Sequence, residues 1–151
     1  MVGMTTKDQL LDSAEQLART RGFDAFSYAD LSKEIGIRKA SIHYHFATKA
    51  DLAAALIERY SQRFAADLNK ISEKGGTAAD DLRAYLNLYK KALGKGSRLC
   101  LCVSFSAARD SFDDKTLDRL NQFHRDSLDW LASVFDKAAA DGSITGPVTT
   151  P

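Results

Sequence analysis

The sequence predicts an all-α fold: an N-terminal three-helix unit followed by a longer helical region. Three observations carry that expectation. Both prolines, Pro147 and Pro151, fall in the last five residues, so no helix breaker interrupts the chain before them. Ser or Thr followed three residues later by Asp recurs ahead of apolar runs, at Ser27/Asp30, Thr48/Asp51, Thr77/Asp80 and Ser111/Asp114, as reciprocal N-caps require. Glycines stand where those runs end, and no strand-like alternation is sustained.

The first helix is expected from Thr5 or Thr6 through Thr20, with Leu10, Ala14, Leu17 and Ala18 on one face and Gly22 ending it. Phe23 and Phe26 pack the corner that follows. Ser27 caps a second helix, in which Leu31 and Ile35 lie four apart and face inward beside the small Ser32. Gly36 supplies the positive φ of a sharp helix-to-helix turn, and Ile37 plugs that turn into the core. From Arg38 to Phe46, Ile42 and Phe46 share one face while Ala40 and Tyr44 point the opposite way, with Ser41 and His43 on the flanks. A buried apolar pair opposite small, aromatic and basic residues is what a recognition helix needs: one side grips its domain and the other enters the major groove. His43 and His45 cannot share a metal ion, because helix residues two apart point about 200° apart. No metal and no cofactor is expected.

Residues 27–52 resemble the helix-turn-helix of the TetR family of bacterial regulators, whose pattern runs roughly I-A-x-x-A-G-V-S-x-G-T-L-Y-x-H-F-x-S-K-x-x-L. Leu31, Gly36, Ile37, Ser41, Ile42, His45, Phe46, Lys49 and Leu52 fit it; Ser32, Ile35, Arg38, Ala40, His43 and Thr48 depart from it. The resemblance implies a DNA-contacting set of Ser27, Arg38, Lys39, Ala40, Ser41, His43, Tyr44, His45 and Lys49. Tyr44 falls at the variable, base-facing position. His43 stands where the family usually has a phosphate-touching Tyr, and Arg38 and Lys49 are expected on phosphates.

Charge supports a local interface rather than a generally basic protein. Net charge is only +1, yet residues 33–49 hold Lys33, Arg38, Lys39 and Lys49 against Glu34 alone. The longest largely apolar run, Leu99 to Ala108, is too short to span a bilayer, and the first ten residues lack a signal core. Together with only two cysteines, this points to a cytoplasmic protein without membrane association.

Beyond residue 50 the pattern predicts a helix from Thr48 to about Lys74, stopped by Gly75-Gly76, with Leu52, Leu56, Tyr60, Phe64, Leu68 and Ile71 inward. Thr77 opens the next, carrying Leu82, Tyr85, Leu86, Tyr89 and Leu93. After a Gly94-Lys95-Gly96 loop, Arg98 to about Arg109 reads as a nearly all-apolar buried helix. Ser111 with Asp114 caps the last long helix, to about Ala140, before Gly142. The divisions expected are residues 1–50 for DNA binding, 51–142 for a ligand-binding and dimerisation region, and 143–151 for a coil tail.

Tyr60, Phe64, Tyr85, Tyr89, Phe105 and His124 are candidates to line a cavity for a small, mainly apolar effector, since buried Tyr and His carry polar handles that need partners. The last helix is apolar on more than one side, and Leu120, Phe123, Trp130, Leu131 and Val134 are candidates for a homodimer interface. The family resemblance implies a repressor bound to a palindromic double-stranded operator and released by its effector. It also implies a further C-terminal dimerisation helix, so either the fold is C-terminally incomplete or the dimer is built differently, and self-association is expected to be weakened. The alternative is a redox-responsive protein or small helical enzyme using Cys100 and Cys102. Two helix residues so spaced point about 200° apart, making an internal disulfide poor. No phosphate loop, Ser-His-Asp set or paired carboxylates support an enzyme.

Overall fold

A computed structural model describes residues 3–146, so Pro147 to Pro151 of the expected coil tail lie outside the described residues. The helices are α1 (Thr6–Arg21), α2 (Tyr28–Ile35), α3 (Lys39–His45), α4 (Lys49–Glu73), α5 (Ala78–Ala92), α6 (Leu101–Ala107) and α7 (Asp114–Asp141), with 3₁₀ turns at Phe23–Ala25, Gly94–Gly96 and Arg109–Ser111. Thr5/Asp8, Ser27/Asp30, Thr48/Asp51 and Thr77/Asp80 each form a reciprocal capping box, satisfying helix-start N–H groups from both ends of the motif. The α7 cap differs from expectation. Asp113, one residue before the expected carboxylate, accepts from the Thr116 N–H, and the Ser111 hydroxyl instead donates to Asp24 across the fold at 3.0 Å.

The apolar core runs continuously past residue 50. Leu10, Phe23, Leu31, Ile42 and Leu52 pack in one cluster with Leu101, Phe105, Phe112 and Leu120. A second cluster joins Phe64, Leu68 and Ile71 of α4 to Tyr85, Cys100, Cys102 and Phe123, and a third seats Ala78 against Val134 and Ala138. On α7 the inward positions are Thr116, Leu120, Phe123, Ser127, Val134 and Ala138, an i/i+3/i+4 progression that leaves Leu128 outside, 65% exposed. On α5, Tyr85 is buried but Leu86 faces solvent, as does Leu93 just past the helix end.

The segment expected as one buried apolar helix is shorter and less enclosed. The Leu99 N–H donates to the Arg19 carbonyl of α1 at 2.7 Å, and Cys100 is extended, so the helix begins only at Leu101, with no side-chain cap from Cys100. Val103 is exposed. α6 buries Leu101, Ser104 and Phe105 towards α1, and Cys102 in the second cluster. Among the described residues no helix is long and apolar enough to cross a membrane.

Candidate nucleic-acid interface and the cleft behind it

The turn between α2 and α3 is built by Gly36, whose φ of 70° and ψ of 27° lie in the left-handed region that Gly adopts without penalty. The Ser32 hydroxyl closes the turn by donating to the Ile37 carbonyl at 2.5 Å. α3 then presents two faces. Ile42 is 0% exposed and Phe46 is buried beside it, while Tyr44 is 85% exposed. Arg38, Lys39, Ala40, Ser41 and His43 are likewise exposed, as is Ser27 at the start of α2, and His45 is half-buried with its ring edge-on to Tyr44.

Tyr28, just inside α2, holds the far end of α3. Its hydroxyl reaches the carbonyls of Phe46 (2.9 Å) and Thr48 (2.6 Å), and burial, with Asp51 nearby, pushes its pKa up to about 12. The His43 ring lies edge-on to Tyr28 with centroids 4.8 Å apart, and its Nδ1 sits 3.1 Å from the Ala47 carbonyl. A carbonyl only accepts, so in this contact Nδ1 carries the proton and Nε2 is left for another partner.

Lys49 is placed differently from expectation. Its ammonium points inward, donating to the carbonyls of Phe23 (2.6 Å) and Phe26 and lying 4.7 Å and 4.4 Å from the centroids of their rings. Burial draws its pKa below the usual lysine range, against the pull of Asp24 and Asp30. The ammonium therefore pins the first turn of α4 to the corner before α2, and is not displayed to phosphates.

Behind the helix-turn-helix, α1, α4 and α5 enclose a cleft of about 520 Å³. Tyr60, Phe64 and Tyr89 line it; Tyr85, Phe105 and His124 do not. Tyr85 stacks on Trp130 with ring centroids 5.4 Å apart and meets the Tyr89 hydroxyl at 3.2 Å. Phe105, 1% exposed, sits in the N-terminal core against Phe23. His124 is half-buried, with Nε2 3.3 Å from the Ser106 hydroxyl. Of the candidate dimer residues, Leu120, Phe123 and Val134 are buried inside the chain, which leaves only the half-buried Trp130 and Leu131, beside exposed Leu128, open to a partner.

Sequence reasoning missed the charged floor of this cleft. Glu15 on α1 accepts from Arg19 (3.0 Å), Arg59 (2.8 Å) and Arg63 (3.3 Å), and Asp12 accepts from Arg59 (2.7 Å). The i, i+4 spacing of Glu15 and Arg19 was a legible signal; their meeting with Arg59 was not.

The cysteines also depart from expectation. Cys100 is the extended N-cap of α6 and Cys102 lies in its first turn, so the helical 200° separation does not apply. Both thiols are buried, and the Cys100 sulfur sits 3.4 Å from the Tyr60 hydroxyl. The neighbouring Cys102 thiol, followed by the Tyr60 hydroxyl, draws the Cys100 pKa below the ordinary thiol value despite burial, while Cys102 is pushed up.

Residues 10–56 match the sequence model of the family described as bacterial regulatory proteins, tetR family. A TetR-family transcriptional regulator from Agrobacterium tumefaciens superposes with a TM-score of 0.83 at 30% identity, covering 93% of this chain and 75% of that one. IcaR of Staphylococcus epidermidis, negative regulator of the biofilm operon icaADBC, is 26% identical over 131 residues, which are 86% of this chain and 69% of its own. The repressor NemR of Escherichia coli is 29% identical over 108 residues, 68% of this chain; the match spans about half of NemR, 53% of its length. The matched helix-turn-helix, the outward face of α3 and the similarity of the whole helical arrangement lead to one conclusion: the chain belongs to the TetR family of DNA-binding transcriptional regulators.

Proposed function

We propose that the chain is a repressor that binds a palindromic operator as a homodimer and leaves it when a small molecule occupies the helical region behind the helix-turn-helix. Residues 1–50 read DNA and residues 51–142 sense and dimerise. The observation that carries the DNA reading is the opposition on α3 of fully buried Ile42 and 85%-exposed Tyr44. Tyr44, Lys39 and Ser41 then meet base edges, while Arg38 and His43 meet phosphates. Two such helices on a symmetric pair fit half-sites about one helical turn apart.

α4 is the element that couples the two functions. Its first turn is pinned to the DNA-reading unit through Lys49, and its middle carries Tyr60 and Phe64 to the cleft. An effector that tilts the second half changes the separation of the recognition helices. Trp130, Leu131 and Leu128 on α7 supply the apolar contact for the second copy. A mobility-shift titration against DNA flanking the coding region tests the reading. Retarded, salt-dependent and competitor-resistant binding is expected; equal affinity for unrelated DNA overturns site-specific repression.

A second reading is favoured by the Cys100–Cys102–Tyr60 cluster, in which a thiol with a lowered pKa is buried next to a second thiol. NemR, one of the matched proteins, has a crystal structure described as a reduced form. Here a peroxide would oxidise Cys100 to a sulfenic acid with release of water, and Cys102 would condense with it to a disulfide with loss of a second water. Operator binding lost on peroxide treatment in the wild type, kept in the Cys100→Ser, Cys102→Ser variant and restored by dithiothreitol would support this reading. Equal behaviour of the two proteins removes it.

A further inference from the structure

The cleft between α1, α4 and α5 carries more positive charge than a site for a purely apolar molecule requires. Its acidic groups are already engaged: Glu15 faces three guanidinium groups, Asp12 accepts from Arg59, and Asp67 lies 3.6 Å from Lys70. Lys91 and Arg98 also line the cleft, and among the described residues neither makes an ion pair. Arg63 shares Glu15 with Arg19 and Arg59, holds it by the longest of the three contacts, and is itself 58% exposed. Beside these cations stands an aromatic wall of Tyr60 and Phe64, whose rings are stacked at 6.0 Å, with Tyr89 5.9 Å from Phe64.

We infer that this cleft binds an amphipathic organic anion: an aromatic body lying on Tyr60 and Phe64, with one carboxylate held by Arg63 and Arg98. A flat apolar ring suits the wall; Arg98 makes no ion pair among the described residues and Arg63 only shares Glu15 with two other guanidinium groups, so both have capacity for a further carboxylate. The volume, about 520 Å³, lies in the range of small-molecule sites. The inference rests on the effector reading above and sharpens its chemical class from mainly apolar to anionic. It also supplies a route to DNA. Asp12, Glu15 and Arg19 belong to α1, so a carboxylate that takes Arg63 from Glu15 loosens the tie between the DNA-reading unit and α4.

The test is a calorimetric titration of the full chain with naphthaleneacetate and with its uncharged analogue, naphthaleneacetamide. The acetate should bind about tenfold more tightly than the amide, as loss of a charge-assisted hydrogen bond implies. In an Arg63→Gln, Arg98→Gln variant that advantage should vanish while amide binding stays as in the wild type. Equal binding of both compounds to the wild type, an acetate preference that survives in the variant, or no binding of either compound overturns the site. Operator affinity measured alongside separates the two readings. Charge-selective binding with no change in DNA affinity leaves the anion site standing and defeats effector release. Release by neutral apolar compounds, with no acetate preference, does the opposite.

Discussion

Lys49 and Phe26 are joined twice: the Lys49 ammonium donates to the Phe26 carbonyl and lies 4.4 Å from the centroid of the Phe26 ring. With the matching pair of contacts to Phe23, this fixes the start of α4 to the corner that leads into α2. Replacement by Gln or Ala should therefore act on stability, by about 1–3 kcal/mol for loss of a charged donor to part-buried carbonyls, with a smaller share from the rings. A lysine facing phosphates would behave otherwise. In a dimer its removal would lower the slope of log affinity against log salt by about 2. Denaturant melts paired with a salt titration of operator binding should show lost stability and an unaltered slope. A stable variant with a reduced slope would place Lys49 on the DNA.

Tyr44 should give the opposite pattern. At 85% exposure it contributes little to folding, and Tyr44→Ala should leave the melting temperature within the small range usual for surface changes. Its effect should fall on sequence preference, at about 1–3 kcal/mol per half-site if the ring packs on a base edge. Competition between operator and scrambled DNA measures this. A Tyr44→Ala protein that keeps full discrimination would remove Tyr44 from the reading face.

The helices were legible in the sequence because their signals are local. Capping boxes at Ser27, Thr48 and Thr77 and the αL turn at Gly36 each depend on residues at most four apart. The two faces of α3 followed for the same reason. What failed involved partners distant in the chain. Lys49 has a fitting place in the family pattern, and only the fold shows the carbonyls 23 and 26 residues earlier that receive its ammonium. Phe105 looked like a cavity aromatic until packing placed it against Phe23. The cysteines were misjudged because one backbone hydrogen bond, from Leu99 to Arg19, moved the helix start between them.

The capping boxes make stability sensitive to acid. Asp8 and Asp80 are held below the ordinary carboxylate pKa first by the hydroxyls and then by the N–H groups of Thr5 and Thr77; Asp30 is held first by the Ser27 N–H and then by its hydroxyl. A lowered folded-state pKa means that the unfolded chain binds more protons in the window between the two values. The contribution is thus fully present above the unfolded value, about 3.9, and lost as pH falls through the folded ones. Melting temperatures should decline below about pH 4, and Asp30→Asn with Asp80→Asn should blunt that decline while lowering stability at neutral pH. An acid limb identical to wild type in the double variant would mean that other carboxylates control it.

Ser104 tests whether the DNA-reading and sensing regions fold as one. The residue is 1% exposed, and its hydroxyl donates to the Ala18 carbonyl at 2.8 Å and accepts from the Phe23 N–H at 3.1 Å, so a residue of α6 completes the end of α1 and the corner after it. Ser104→Ala leaves the Ala18 carbonyl with a second donor, the Gly22 N–H, but strips the Phe23 N–H of the hydroxyl that receives it. A buried N–H left without an acceptor costs about 1–3 kcal/mol. The loss should appear as one lowered but still single transition, because Leu101 and Phe105 share a core cluster with Leu10 and Leu31. Hydrogen exchange locates it further: the Phe23 amide should lose protection by local opening, while the middle of α7 changes only with global stability. Two separate transitions in the variant, or a Phe23 amide as protected as in wild type, would show that this hydroxyl does not link the two regions.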